Sequence, residues 1–183
     1  MKTTVVDNLI PEKELFFIYR QLVCSSIWSV AGAGNDYDNQ THKNFAKGPS
    51  LIVKKTNGII ENYPMFLYGQ VLVYRMAEIL EKKKIGMHTN LQRMRFNITY
   101  SGEDSQHSLH TDIDDNNYQS ILVFMTPIWK EGWKGSFYVD GEKFNFRPGS
   151  AIIFNSPEYH TGEESDMKNL YWQRLTLNMM VSK

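Results

Sequence analysis

Three potential metal ligands and one arginine follow one another in the C-terminal half of the chain. His110 and Asp112 belong to the triplet His110-Thr111-Asp112, His160 follows an apolar run, and Arg174 lies inside another apolar run. Two imidazoles and one carboxylate on one face of Fe(II) leave three coordination positions open for a co-substrate and dioxygen. A dedicated arginine favours a dicarboxylate as that co-substrate, because its planar guanidinium can grip a carboxylate through two charge-assisted hydrogen bonds.

The spacing of the three candidate ligands is compatible with one metal ion. Residues two apart in a strand point to the same face, so His110 and Asp112 can bind one ion while Thr111 points away. His160 follows the turn after the apolar run 151–154, and a neighbouring antiparallel strand could bring it opposite the first pair. Each piece taken alone is common in globular proteins, whereas their conjunction is a much stronger indication of a metal site.

The face of the last apolar run indicates a pocket around Arg174. Alternation along a strand divides residues 171–181 into two faces, and the face that carries Arg174 is mostly polar with a single charge. A solvent-exposed face would be expected to carry Lys and Glu instead. The alternative is that Arg174 forms a structural ion pair with an acidic neighbour. The residues of this face are Trp172, Arg174, Thr176, Asn178 and Met180.

Length and cysteine content favour one intracellular domain. The 183 residues are enough to bury a core without disulfides or a structural metal. The single cysteine, Cys24, cannot form an internal bridge, and the N-terminus carries neither a signal-like apolar segment nor a membrane-length run. These features favour a reducing cytoplasmic setting over secretion or membrane insertion.

The charge balance argues against a broadly anionic partner. Twenty basic residues match twenty acidic ones, which removes the general electrostatic basis for binding nucleic acid or an anionic membrane. The run Lys82-Lys83-Lys84 closes a predicted helix, where the helix dipole favours cations. We therefore interpret this run as a solvated helix end rather than a binding patch.

The first half of the chain is predicted to contain two helices. Apolar residues with helical spacing predict an amphipathic helix over 12–23 and a second over 68–84, ended by Gly86. Residues 30–50 are rich in Gly, Asn, Asp and Lys and predict a long surface loop, either a cover over a pocket or plain irregular structure. The buried side of the second helix is predicted to comprise Val71, Leu72, Met76, Ile79 and Leu80.

From residue 92 onward, short β-type runs alternate with turn residues. Helices followed by strands predict an α+β domain in which the helices buttress one face of a sandwich or jelly roll. The dipeptide Asp140-Gly141 marks a hairpin. The predicted strands cover residues 93–100, 108–112, 119–125, 136–139, 143–147, 151–154 and 170–181.

Six short segments, taken in chain order, match the motifs of a known family. They are Tyr100-Ser101-Gly102, His110-Thr111-Asp112, Trp133-Lys134-Gly135, Arg147-Pro148-Gly149-Ser150-Ala151-Ile152-Ile153-Phe154, His160-Thr161-Gly162 and Arg174-Leu175-Thr176. Over roughly residues 91–181 the chain resembles the Fe(II)/2-oxoglutarate-dependent oxygenases, specifically their prolyl-4-hydroxylase-like branch. The resemblance implies a single domain, with a double-stranded β-helix (jelly-roll, cupin-like) core at about 91–183 and buttressing helices in an N-terminal part at about 1–90.

The resemblance also assigns roles to the candidate site residues. It implies that His110, Asp112 and His160 hold Fe(II), and that Arg174 binds the distal carboxylate of 2-oxoglutarate. The Thr176 hydroxyl, on the same strand face, would add a hydrogen bond to that carboxylate. Dioxygen is implied as the second reactant at the metal, and ascorbate is a possible further cofactor.

Two less specific likenesses accompany these roles. Tyr100 falls ten residues before His110, where the prolyl-hydroxylase branch places a tyrosine that contacts the co-substrate. Tyr100 and Asn97 are three residues apart and would point to opposite faces of a regular strand, so this role requires a bulge or twist between them. The compact oxygenases of tailed marine phages carry an R-x-R/K-x-N strand before the HTD motif, here Arg93, Arg95 and Asn97. A phage origin would place the protein in the cytoplasm of the host cell.

The activity implied by the resemblance is hydroxylation coupled to oxidative decarboxylation of 2-oxoglutarate to succinate and carbon dioxide. A prolyl or other peptidyl residue is the expected target, and a free amino acid or other small molecule stays open. Nucleic-acid demethylation is disfavoured, because Met180 stands where demethylating members usually have a second arginine. Trp129 and Trp133 could stack on a proline ring or belong to the core.

Three other kinds of protein remain open. A non-enzymatic cupin-like metal-binding or sensor protein would commonly use additional His or Glu ligands, and it would not require Arg174 with Thr176. A zinc hydrolase could use the same three ligands, but Arg174 would then have no role. If the protein were a structural or interaction module, nothing would explain why the three ligands and Arg174 all stand at the positions that the family motifs give them.

Overall fold

A computed structural model of the protein describes residues 2–24, 29–30, 49–56, 59–60, 63–99, 109–163, 165 and 173–183. Within these ranges the chain forms two α-helices and eleven β-strands, which confirms the predicted α+β class. Neither of these two helices has the length and apolar character needed to cross a membrane. The predictions for Tyr100, for Trp172 and for the interior of the 30–50 loop fall outside the described residues.

The first helix, α1, spans Glu12–Val23, as its apolar spacing predicts. Pro11 precedes it, and Glu12 and Glu14 lie in the first turn, where the helix dipole favours negative charge. Three side chains on one face are buried, namely Leu15, Tyr19 and Leu22. The helix is therefore held mainly by the packing of this apolar face.

The second helix, α2, spans Tyr63–Glu81 and both begins and ends earlier than the predicted 68–84. Pro64 lies in its first turn, where the fixed φ and missing N–H of proline are tolerated. Val71 is 51% exposed, so its assignment to the buried side is wrong. Of the other residues predicted on that side, Ile79 is partly buried, and Leu72, Met76 and Leu80 are fully buried.

The end of α2 is set by a lysine in place of the expected glycine. Lys84 adopts a left-handed φ of 58°, and the Ile85 N–H donates to the Leu80 carbonyl at 2.9 Å. This bond closes the helix in the manner of a Schellman turn, so the predicted stop at Gly86 lies beyond the true end. Residues 82–84 are exposed, which agrees with a solvated helix end.

Eleven antiparallel strands form two sheets within the described part of the chain. They are β1 (Thr4–Val6), β2 (Ser29–Val30), β3 (Pro49–Thr56), β4 (Ile59–Ile60), β5 (Asn90–Thr99), β6 (Tyr118–Phe124), β7 (Phe137–Val139), β8 (Glu142–Phe144), β9 (Ala151–Asn155), β10 (His160–Gly162) and β11 (Arg174–Ser182). The larger sheet has the order β1-β9-β6-β11-β5-β3-β2, with β4 paired to β3. The smaller sheet has the order β10-β7-β8.

The N-terminal half contributes β1 to β4 to the larger sheet, and none of these four strands was predicted from the sequence. β1 pairs with β9, and β3 pairs with β5, so these pairings join distant parts of the chain. Residues 30–50, predicted as one loop, begin in β2 and end in β3. β1 pairs with the distant β9 and carries no local hairpin signal. β3 and β4 instead flank the dipeptide Asn57-Gly58, a hairpin signal that the sequence does display.

The predicted C-terminal strands are found with small shifts of their ends, except for residues 108–112 and the undescribed 170–172. Of the segment 109–112, His110 pairs with His160 through an isolated bridge, and Asp112 lies in a bend. Leu109 is 63% exposed, so this segment has no apolar side on which a strand could pack. The prediction of a continuous strand here is wrong.

The smaller sheet contains the predicted hairpin. Val139 pairs with Glu142, and the loop residues Asp140 and Gly141 have φ angles of 45° and 82°. Positive φ at both central positions is the type I′ geometry that Asp-Gly favours. The opposite edge of β7 pairs with β10, which begins at His160. The hairpin therefore helps to fix the position of this candidate ligand.

The two faces of the larger sheet pack against different layers. Alternation along β11 directs Leu175, Leu177 and Met179 into a core shared with α1 and α2. The other face carries Arg174 and Thr176 and contributes to a second apolar cluster with the smaller sheet. Arg174 and Thr176 are buried on this second face, as the alternation predicted. The second cluster comprises Leu122, Phe124, Phe137, Val139, Phe146, Ile152 and Phe154.

Gly149, in the turn before β9, is expected not to tolerate a side chain. Its φ is +71°, and an added Cβ would collide with the Ile10 carbonyl oxygen. Gly149→Ala should destabilise the protein by about 2–5 kcal/mol, since a left-handed alanine costs roughly 1–2 and overpacking roughly 1–3. Gly141→Ala is the matched control, because its φ is +82° and a Cβ there would meet no atom of the described residues within 4 Å apart from its own chain neighbours. Urea unfolding compares the two variants, and equal losses would contradict the predicted collision.

Candidate metal centre and arginine site

The structure brings the three candidate metal ligands together where β10 meets the segment around residue 110. His110 N–H donates to the His160 carbonyl at 3.1 Å, and His160 N–H donates back to the His110 carbonyl at 2.9 Å. The two ring centroids are 4.4 Å apart. Potential ligand atoms of His110, Asp112 and His160 all lie within 4.8 Å of one another. With metal–ligand bonds of about 2.0–2.2 Å, a small adjustment would let all three bind one ion.

The surroundings of His160 prepare its Nε2 for a metal. Its Nδ1 lies 3.0 Å from the Glu158 carbonyl, which can only accept, so Nδ1 carries the proton and Nε2 keeps a free lone pair. The ring is buried beside Phe154 and Phe137, with centroids 4.9 and 5.6 Å away. This burial lowers the pKa of His160, and the Asp112 carboxylate opposes the shift. The imidazole is therefore neutral at neutral pH, as a metal ligand must be.

Acid is expected to destabilise the metal-free protein through His160. Its folded-state pKa lies below the unfolded value of about 6.5, so its contribution to stability is complete above that pH and is lost as pH falls through the folded pKa. Unfolding free energies measured between about pH 5 and pH 8 should show a smaller acid loss in His160→Gln than in wild type.

The matched control for this pH dependence is His88→Gln. Burial also lowers the pKa of His88, so this variant removes a second, separate part of the acid loss. His88→Gln should keep the part of the acid-induced loss of stability that is caused by His160. A wild-type pH dependence that His160→Gln leaves unchanged would contradict the prediction.

Asp112 is held by residues that were not predicted to belong to the site. Its backbone N–H donates to the Ser156 carbonyl at 3.2 Å, and its Oδ2 accepts the Ser120 hydroxyl at 2.5 Å. Arg93 Nη2 lies 3.6 Å from Oδ1, and His160 Nε2 lies 3.8 Å from Oδ2. Arg93 was noted in the strand motif before HTD, whereas nothing in the local sequence singled out Ser120 or Ser156.

Arg174 is a buried cation on the second face of the larger sheet. It begins β11, is only 3% exposed, and donates from Nη2 to the Gly135 carbonyl at 3.2 Å. Its Nε has no hydrogen-bond partner within the described part of the chain. Burial lowers the pKa of Arg174 to about 10, partly offset by Glu163, so the side chain stays charged at neutral pH. A buried, incompletely paired guanidinium is a site that an incoming carboxylate would complete.

Thr176 is the residue predicted to add a second contact to a carboxylate. It is 3% exposed and two residues after Arg174 on the same face of β11. In the sheet it pairs with Asn97 of β5 and Phe124 of β6. The structure thus places Thr176 beside Arg174, while Tyr100 lies outside the described residues.

Gly135 and Trp129 form the wall behind Arg174. Gly135 has a φ of +77°, and a Cβ there would lie 2.6 Å from the Trp129 ring and 3.3 Å from Arg174 Nε. Trp129 stacks on Phe146 at 3.9 Å and meets Trp133 edge-on at 5.7 Å. Trp129 therefore packs against the second apolar cluster, which agrees with the core alternative rather than with an open stacking platform.

The residues present fit a hexacoordinate, oxygen-activating metal better than a closed structural site. Two imidazoles and one carboxylate make up the candidate cluster found within the described residues, so three positions of an octahedral ion would stay open. His110 is exposed, which leaves a side of the cluster accessible to reactants. Arg174 lies on the sheet face directed toward the same region between the two sheets.

Neither protein-family models nor curated protein sequences give a match to this chain. Solved structures do. A Pseudomonas putida prolyl-4-hydroxylase is 16% identical, with 99% of this chain and 92% of that chain covered at a TM-score of 0.64. A Trichoplax adhaerens prolyl hydroxylase, solved with a peptide of the hypoxia inducible factor oxygen degradation domain, is 14% identical, with 98% and 83% covered at 0.62.

A viral collagen prolyl hydroxylase from Paramecium bursaria Chlorella virus-1, solved as its 2OG complex, is similar over an equally large part of the chain. It is 11% identical, with 100% of this chain and 97% of that chain covered at a TM-score of 0.61. At these identities the likeness establishes the fold. The protein has the fold of the prolyl hydroxylases and 2OG-Fe(II) oxygenases, which confirms at that level the resemblance expected from its motifs.

Proposed function

We propose that the protein is an Fe(II)- and 2-oxoglutarate-dependent dioxygenase, formed as a single domain around a double-stranded β-helix core. One observation carries the proposal: the cluster of His110, Asp112 and His160 occurs in the same structure as Arg174, a buried arginine whose Nε has no partner among the described residues. The shared fold supports it. A cupin-like metal-binding protein would explain the cluster but would leave the burial of Arg174 without a role.

Each residue then has a defined task. His110, Asp112 and His160 would hold Fe(II), and Arg174 with Thr176 would bind the distal carboxylate of 2-oxoglutarate. With its Nδ1–H fixed on Glu158, His160 would keep a constant ring orientation. The bound iron would supply the oxidative chemistry that converts 2-oxoglutarate and dioxygen to succinate, carbon dioxide and a hydroxylated product.

A prolyl or other peptidyl residue is the substrate we propose. Support comes from the prolyl hydroxylases of the same fold, one of which was solved with a peptide bound. The balance of twenty basic and twenty acidic residues gives no general attraction for nucleic acid. The single Cys24, exposed and unpaired, fits a reducing cytoplasmic compartment.

Succinate formation coupled to peptide oxidation tests this function. Purified protein with Fe(II), 2-oxoglutarate and ascorbate would be incubated in air with a library of proline-containing peptides and a matched library without proline. We expect succinate above the level without peptide, together with a mass gain of one oxygen on proline-containing members. Succinate stimulated equally by both libraries would place the target on another residue, and no succinate under any condition would contradict the oxygenase assignment.

A further inference from the structure

The two carboxylate oxygens of Asp112 have different neighbours. Ser120 Oγ donates to Oδ2 at 2.5 Å, and the same Oδ2 lies 3.8 Å from His160 Nε2. Oδ1 instead faces Arg93, whose Nη2 is 3.6 Å away. The carboxylate therefore directs one oxygen toward the ligand cluster and the other toward a cation.

The Ser120 contact is part of a buried network that fixes the carboxylate. Ser120 and Ser156 are 2% and 0% exposed, and their hydroxyl oxygens are 2.9 Å apart. An ionised carboxylate only accepts hydrogen bonds, so Ser120 donates to Asp112 and Ser156 donates to Ser120. The Ser156 carbonyl also accepts the Asp112 N–H, so backbone and side chain of Asp112 are held from the same place.

The Arg93 contact cannot serve simply to strengthen metal binding. A cation next to a ligand carboxylate reduces the negative charge that the metal meets and repels the metal itself. Arg93 extends from β5, alternating with the fully buried Met94, and its side chain is 36% exposed. Its position accounts for something else: the positive charge beside Oδ1 repels a metal ion from that oxygen in particular.

We propose that Ser120 and Arg93 are positioning residues that make Asp112 a one-oxygen ligand. Ser120 would hold Oδ2 toward the metal, and Arg93 would keep Oδ1 out of the coordination sphere. This inference rests on the proposed function, because a carboxylate that chelated through both oxygens would occupy a position needed by 2-oxoglutarate or dioxygen.

Metal titration without co-substrate tests the Ser120 half. Anaerobic titration of metal-free protein with Co(II), followed by visible absorption, should show affinity about 10–100-fold lower in Ser120→Ala than in wild type. Ser120→Thr, which keeps the hydroxyl, should recover most of it. Wild-type Co(II) affinity in Ser120→Ala would overturn this half of the proposal.

Loss of the Arg93 charge, in contrast to loss of the Ser120 hydroxyl, is expected not to lower the affinity for the metal. Arg93→Met keeps the apolar stem but loses the charge, so its Co(II) affinity should equal or exceed that of wild type. Its Fe(II)-loaded form should bind 2-oxoglutarate at least about tenfold more weakly, one power of ten in the equilibrium constant. Arg93→Lys should recover 2-oxoglutarate binding, and Arg147→Ala, which breaks an exposed ion pair with Asp7, should match wild type in both titrations.

Two results would overturn the Arg93 half: reduced Co(II) affinity in Arg93→Met, or wild-type affinity for 2-oxoglutarate in that variant. Failure of the proposed function has a different signature, since wild-type protein would then bind Co(II) but no 2-oxoglutarate. In that case the Co(II) titration still decides between positioning and a purely structural role, because the affinity should fall in Ser120→Ala and should not fall in Arg93→Met.

Discussion

Asp112→Ala is expected to abolish both metal binding and succinate production. Asp112 supplies the only carboxylate of the candidate cluster within the described residues, and its removal leaves two imidazoles. We expect the Fe(II) affinity to fall by more than about 100-fold, beyond the 10–100-fold typical of losing an outer-shell partner. Anaerobic Fe(II) titration and succinate assay measure the two losses.

The control for this variant is Asp114→Ala. Asp114 is exposed and lies two residues further along the chain, so it tests whether any nearby negative charge supports the metal. It should bind Fe(II) and form succinate as wild type does. Retained iron binding in Asp112→Ala would remove Asp112 from the ligand set.

Arg174→Ala is expected to separate co-substrate binding from metal binding. Removing one partner of a buried, hydrogen-bonded charge pair costs about 2–5 kcal/mol, which corresponds to a loss of about 30-fold to several thousandfold in affinity. The apparent KM for 2-oxoglutarate should rise accordingly, while Fe(II) affinity stays near wild type because Arg174 is not one of the three ligands and is held by Gly135 and Phe146.

Two further variants test whether the loss of affinity in Arg174→Ala is specific to the guanidinium of Arg174. Arg174→Lys keeps the charge but not the planar fork, so it should restore only part of the 2-oxoglutarate affinity. Arg75→Ala removes a half-exposed arginine paired with Glu14 at 3.2 Å and should leave the KM unchanged. Loss of iron from Arg174→Ala to the same extent as from Asp112→Ala would contradict the separate roles.

Much of the candidate site could be predicted from sequence because its residues sit in strands or next to strong turn signals. Alternation alone placed Arg174 and Thr176 on one buried face of β11. The apolar run before His160 and the hairpin at Asp140-Gly141 indicated how that histidine could be carried toward His110. These inferences depend on local period and turn chemistry, which the sequence displays directly.

What the sequence did not reveal depends on long-range contacts. β1 pairs with the distant β9 and β3 with the distant β5, and the four residues of 109–112 meet His160 through one bridge rather than a strand. Ser120 and Ser156 belong to the site because β6 and the turn after β9 come together next to Asp112, where Ser120 contacts both Asp112 and Ser156. A serine in an apolar strand carries no local signal for such a contact.

The most direct test of the central claim is an anaerobic titration of metal-free protein, first with Fe(II) and then with 2-oxoglutarate. A 2-oxo acid that chelates Fe(II) gives a weak visible charge-transfer absorption, which reports metal and co-substrate at one site. We predict this band in wild type, its absence from Asp112→Ala, and a requirement for much higher 2-oxoglutarate concentration in Arg174→Ala. Iron bound to wild-type protein without any band on saturation with 2-oxoglutarate would contradict the oxygenase account and favour a metal-binding protein of the same fold.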